Sequence, residues 1–280
     1  MTNFTHFSAS VLRPVLDRLG RTGQFLWSGF AGLAAFSLLA AVWQYGHEQW
    51  GAFILPSPLA TLTATWSILS DPAAWSLIAQ TVGRALQGFL LSAFSGALLG
   101  MVAGHSPATI RLARPLITLL IGVPPIAWIV LALIWFGAGD GTVIATVVVT
   151  AVPIIFAGTA EGILSRDRKL DDMARVFGAN AWRRMTSLRL RQLTAHLFPA
   201  LTLALGMSFK VAVMAELLTN VGGIGGELSA ARSYLDITQA LAWVMIAVIA
   251  LLIFEYGVIH PIRSEFESWR RAEIPWGIKR

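Results

Sequence analysis

Few side chains in this 280-residue chain could do chemistry, and those that could stand in telling places. Lys210 and Glu216 interrupt an apolar stretch long enough to cross a bilayer. A charge at such a depth is costly and marks a cavity or a partner. Six residues turn a helix by about 600°, so the two do not share a face. Lys210 is expected either to offer positive potential to an anion in a translocation path or to pair with a carboxylate or carbonyls of another helix. Glu216 is expected to brace a gate on the outer side. Pro124 and Pro125 remove two backbone donors in a third apolar stretch. Carbonyls freed inside a bilayer are tolerated only against protein or a water-filled cavity. This break, with Trp128 after it, is expected to line the same path, or else to be a kink packed by its neighbours. Ser208 and Phe209, beside Lys210, are counted with it.

Other chemistries find no residues. The chain has no cysteine, which excludes disulfides, iron–sulfur clusters and thiolate zinc sites. Its five histidines, His6, His47, His105, His196 and His260, lack metal-ligand spacing. The run Gly222-Gly223-Ile224-Gly225-Gly226 lacks the Lys-Ser/Thr ending of a phosphate-binding loop. It is read as a flexible outer turn or as a contact for another protein. The chain is therefore not expected to hydrolyse ATP or to bind a cofactor of its own.

The elements that position these residues are membrane helices. Hydrophobic residues make up 56% and charged residues 13% of the chain, about half the charge of a soluble domain. Stretches near the roughly 20 residues a span needs run from about Phe25 to Val42, Ala85 to Gly104, Pro115 to Gly139, Gly141 to Ala160, Leu193 to Leu218, and Ile237 to Phe254. With the N-terminus in the cytoplasm, every Lys and Arg except Arg84, Lys210 and Arg232 falls on the inner side. The net charge of +6 is thus a topology signal, and nucleic acid is not an expected partner. The first span is read as retained rather than cleaved, because no small-x-small site follows Val42. Gly88, Ser92, Gly96, Gly100 and Gly104 form a ridge of small residues at four-residue spacing, which marks a central, closely packed helix. After Pro56 and Pro58, the spacing of Leu59, Leu62, Trp66 and Leu69 predicts a helix at the outer membrane interface or packed as a loop.

The long charged segment 165–191 carries more information. Leu170, Met173, Ala174 and Phe177 form one apolar stripe on a short helix. Asp171 and Asp172 near its start and Arg175 near its end suit the helix dipole. Gly178 can end that helix in the left-handed conformation. Asn180 can cap a second one through Trp182, Met185 and Leu188. A solvated loop has no need of an apolar stripe, so this elbow is expected to meet a partner.

Here the chain resembles the permease subunits of bacterial ABC importers, whose cytoplasmic signature is usually written E-A-A-x3-G-x9-I-x-L-P. Asp172-Met173-Ala174, three residues, Gly178, nine residues and Leu188-Arg189-Leu190-Arg191 keep its spacing. Asp replaces Glu, Met the first Ala, Leu the Ile, and Arg191 the final Pro. The likeness runs from about Ile54 to Arg271 and is strongest to the nitrate/sulfonate/taurine/bicarbonate branch. It is carried by Leu55-Pro56-Ser57-Pro58, Gly83-Arg84-Ala85-Leu86-Gln87-Gly88-Phe89, Val123-Pro124-Pro125-Ile126-Ala127, Ile134-Trp135-Phe136-Gly137 and Ala215-Glu216.

The resemblance implies an all-α, six-span bundle of the type I importer permease kind. Its residues 1–50 would be an N-terminal segment and first span, 51–78 an outer segment, 79–263 the core, and 264–280 a cytoplasmic tail. It implies a bacterial inner-membrane location with both termini cytoplasmic, and a homodimer. Two ATPase subunits would carry ATP and magnesium, and a periplasmic binding protein would deliver the solute. Asp172, Met173, Ala174, Phe177, Gly178, Ala179, Trp182, Leu188 and Leu190 would dock into the ATPase. The solute would be an oxyanion, sulfonate or bicarbonate, or else a neutral pyrimidine or vitamin-like molecule. An ion-coupled secondary transporter is the rival reading from another class. It predicts internal repeats and carboxylate relays that the sequence does not display.

Overall fold

The structure is a computed structural model that describes Phe30 and residues 32–259, helical throughout with no strand among them. The chain divides into two compact units, residues 1–63 and 64–280. The N-terminal segment, the start of the first expected span and the tail 264–280 lie outside the described residues.

In the first unit, helix α1 covers residues 32–50, continuing past Val42 where the sequence reading ended the span. Gly51 (φ 78°) stops it. The Trp43 indole donates to the Pro56 carbonyl at 2.9 Å, and His47 Nδ1 donates to the Leu55 carbonyl at 2.7 Å. These two bonds hold the proline-bearing strap against α1. Helix α2 (Pro58–Ser70) then starts where the prolines predict, with the Ser57 hydroxyl accepting from the Ala60 N–H. Leu59, Leu62 and Trp66 are exposed, whereas Leu69, which already belongs to the second unit, packs into that unit's core.

The second unit is built on helix α3 (Pro72–Gly104), capped by Asp71, whose carboxylate accepts from the Ala73 N–H. It begins well before Ala85. Charge at Arg84 was the reason for placing the span's edge there, but Arg84 is buried and neutralised, so the helix passes through it. The small-residue ridge lies on α6 (Asp140–Leu164). Gly88 faces Val147, Gly96 faces Ile155, Gly100 faces Thr159 and Gly104 faces Ile163. The partner advances in step with the ridge, so the two helices run parallel. A Cβ at Gly100 would stand 2.7 Å from that of Thr159, closer than real Cβ atoms approach.

Two parallel spans require a return between them. The return is α4 (Pro107–Gly122) and α5 (Pro125–Phe136), bent by 93° at their junction. The expected span from Pro115 to Gly139, read as interrupted at Pro124-Pro125, is corrected in its bounds. Ser106 and Pro107 start α4 earlier, and the prolines split the stretch in two because neither supplies the N–H the ladder needs. Helix α7 (Arg168–Val176) and the single turn α8 (Ala181–Arg184) follow α6. A π-helical turn, Met185–Arg189, leads from α8 into α9 (Leu190–Thr219). Helix α9 lies antiparallel to α6, with Ala200 over Gly158 and Leu193 over Gly162. Helix α10 (Ile224–Ser233) and α11 (Ile237–Phe254) complete the bundle, and Phe254 stacks on Phe209 with ring centroids 6.4 Å apart. The core gathers Ile129, Val143, Val147, Phe209, Ala212, Ala215, Trp243 and Ile246. Among the described residues four helices are long and apolar enough to cross a membrane, and the bent pair makes a fifth.

Candidate functional site

At the end of the bundle opposite α7, three spans are tied by buried charge. Glu216 of α9 is fully buried. Its Oε1 accepts from Arg84 Nη1 of α3 at 2.7 Å, and its Oε2 accepts from the Thr81 hydroxyl at 2.8 Å and the Gly225 N–H at 3.1 Å. Arg84 also meets Asp140 at the start of α6 at 2.8 Å and donates to the Gly222 carbonyl. The Thr81 hydroxyl in turn accepts from the Ile224 N–H at 2.9 Å. One carboxylate therefore satisfies a guanidinium, a hydroxyl and the first turn of α10, whose orphan N–H groups favour an anion. The gap-free fit requires the glycines. Gly223 has φ 128°, and a Cβ there would strike the Glu216 carboxylate. A Cβ at Gly225 would collide with the Val213 carbonyl. The glycine run is therefore a buried helix start rather than a flexible turn.

Of the residues singled out from the sequence, Glu216 joins this cluster and Lys210 does not. Lys210 is exposed and forms no ion pair among the described residues. The expected pairing with a carboxylate of another helix is absent among the described residues. Ser208 donates back to the Ala204 carbonyl, and it and Phe209 are buried. Pro124 is exposed at the bend, and Trp128 lines an apolar cavity of about 400 Å³ shared with Trp135, Phe136 and Ile144. The Trp128 indole nitrogen is buried without an acceptor among the described residues. Sequence reasoning passed over Thr81, Arg84 and Asp140, treating the two charges as span edges. The available signal was their sign: an arginine and an aspartate bound two spans on the same expected side as Glu216.

The elbow forms as its pattern predicts. Asp167 accepts from the Lys169 N–H and starts α7. Gly178 (φ 74°) ends it, with the Gly178 N–H donating to the Arg175 carbonyl and the Ala179 N–H to that of Ala174, the two bonds of a Schellman turn. Asn180 caps α8 by accepting from the Arg183 N–H at 2.8 Å. Asp172, Met173, Phe177, Trp182 and Leu190 are exposed, while Ala174, Ala179 and Leu188 are half-buried. Val176, outside the predicted stripe, is 86% exposed, beside Phe177 at 82% and Trp182 at 74%. So large an exposed apolar patch on a charged turn is the kind that marks interaction sites.

Comparison with known proteins agrees with this geometry. Residues 96–261, more than half of the chain, match the family described as the binding-protein-dependent transport system inner membrane component. The riboflavin transport system permease RibX of Chloroflexus aurantiacus is 29% identical over 241 residues, covering 85% of this chain and 89% of that one. The aliphatic sulfonates transport permease SsuC of Bacillus subtilis is 25% identical over 255 residues, covering 90% and 92%. The fold matches the inward-facing MetNI methionine ABC transporter with a TM-score of 0.52 at 19% identity, over 68% of this chain and 93% of that one. With its apolar helices, bent return span and exposed elbow, the chain belongs to the family of binding-protein-dependent transport inner-membrane components, as a multi-pass permease subunit of an ABC importer and not an enzyme.

Proposed function

We propose that two copies of this chain form a pathway for a small anion such as a sulfonate, an oxyanion or bicarbonate, with the elbow on the cytoplasmic side and both termini there. The observation that carries the anion reading is Lys210. It is an exposed cation, without an ion pair among the described residues, in the interior of a 30-residue apolar helix. Its exposed neighbours on that face are Leu203, Met214 and Leu218. Facing lipid at that depth would be costly, so this stripe faces water or a second copy. Two such lysines across a pore would raise the local concentration of an anion. The sulfonate relative supports the same class. Glu216, tied to Arg84, braces the outer end of the pathway, and the Pro124-Pro125 bend with Trp128 contributes to its wall.

Two cytoplasmic ATPases bind ATP and magnesium and grip Asp172, Met173, Phe177 and Trp182, with Ala174, Gly178, Ala179, Leu188 and Leu190 setting the shape of the elbow. A soluble binding protein delivers the solute from the other side. A second reading, a neutral vitamin-like solute, is favoured by the aromatic cavity at Trp128 and by the riboflavin relative. Uptake of labelled sulfonate, nitrate, bicarbonate and riboflavin by cells expressing the whole transporter separates the two. Lys210→Ala is expected to reduce uptake of the preferred anion about tenfold or more. Unchanged affinity and rate in a well-folded variant would remove Lys210 from the pathway, and riboflavin uptake alone would establish the second reading.

A further inference from the structure

The acidic position of the importer signature is Asp172, which is exposed. Its neighbour Asp171 is 7% exposed and does something different. Asp171 Oδ2 accepts from Arg166 Nη2 at 2.6 Å and from Arg184 Nη2 at 2.8 Å, and Oδ1 accepts from Arg184 Nε at 3.0 Å. Arg184 thus grips the carboxylate with both arms of its fork, the strongest geometry for such a pair. The hydrogen-bonded Asp171 carboxylate holds the Arg184 guanidinium above its ordinary value against the opposing effect of burial, and Asp172 adds to it through space.

The three residues belong to three different parts of the chain. Asp171 lies in the first turns of α7. Arg166 lies two residues beyond the end of α6, with its N–H still donating to the Ile163 carbonyl. Arg184 ends α8, which passes through the π-helical turn into α9. Beside the backbone, these side-chain bonds join helix α7 to both spans. A force applied to its exposed face would be lost in bending the loops unless something stiffened the elbow.

We infer that Asp171 is a positioning residue for energy coupling: it locks α7 to the roots of α6 and α9, so that displacement of the docked elbow is delivered to both spans together. It does so through Arg166 and Arg184, without touching the ATPase or the solute. This inference rests on the reading that an ATPase grips the elbow.

The absence of native cysteine makes the test direct. A single cysteine replaces the exposed Tyr234 on the opposite side of the bundle and carries an environment-sensitive fluorophore. The full chain is purified with its ATPase, and the emission change on adding ATP with vanadate is read. In Asp171→Asn the change is expected to fall about tenfold, while the ATPase stays bound in the same ratio and continues to hydrolyse ATP. Arg184→Lys, which keeps the charge but loses the fork, is expected to lose part of the response. It is read in place of Asp171→Asn should that variant fail to fold. A full response in either folded variant, alongside a responding wild type, overturns the inference alone. A wild-type chain that retains no ATPase overturns the reading beneath it.

Discussion

At the scale of single residues, the buried charges set the stakes. Glu216 has no access to solvent, and Arg84 is its only cationic partner among the described residues. Removing one member of a buried pair strands the other, at a cost of about 3–5 kcal/mol. Arg84→Ala is therefore expected to lower the melting temperature sharply, seen by heating detergent-solubilised protein and scoring the surviving fraction by size exclusion. Replacing both Arg84 and Glu216 by leucine should be milder than Arg84→Ala, since no charge is left unpaired. If the single and double variants melt alike, the pair does not hold the three helices. Asp140 is more exposed than Glu216, so its loss should cost less.

At the scale of elements, the contact between α3 and α6 depends on missing side chains. A Cβ added at Gly100 would meet Thr159 and the Phe156 carbonyl closer than 3 Å, and backbone cannot move aside. Gly206, inside α9, has nothing within 4 Å of an added Cβ. Gly100→Ala is expected to destabilise by about 1–3 kcal/mol through overpacking. Gly206→Ala should be neutral or stabilise by about 0.5–1 kcal/mol, as alanine is the better helix former. The same substitution thus has opposite signs at two sites of one protein. Equal melting shifts would mean that the ridge is not a tight seam. The bend between α4 and α5 belongs to this scale too, since two adjacent prolines leave the helix no donor with which to continue.

At the scale of the whole molecule, the elbow is the point where we propose that work enters. Phe177 exposes most of its ring to the surface of the isolated chain, next to Val176 and Trp182. Phe177→Asp is expected to release the ATPase during purification while leaving the melting temperature of the permease within error, since the side chain is largely exposed. Retention of the ATPase at the wild-type ratio would show that docking does not use this face. The contrast with Asp171→Asn is informative: one variant loses the grip, the other keeps it and loses transmission.

Much of this was legible before any coordinates. Apolar runs, the one-sided bias of Lys and Arg, and the stripe at Leu170, Met173 and Phe177 follow from solvent alone: lipid rejects charge, and water rejects a row of large apolar side chains. The small-residue ridge announced a close partner, and the paired prolines announced a break. Neither could say which helix packed on the ridge or how far the chain turned, because those depend on residues some sixty positions away in sequence. Arg84 and Asp140 looked like the edges of spans, since an unpaired charge does end one. Folding supplied each with a counter-charge from another helix and, at Arg84, moved the edge. The difference between exposed Asp172 and buried Asp171 is likewise invisible in a line of letters. One-dimensional pattern registers which solvent a segment prefers, whereas the pairing of a charge is set only when distant segments are brought within hydrogen-bonding reach.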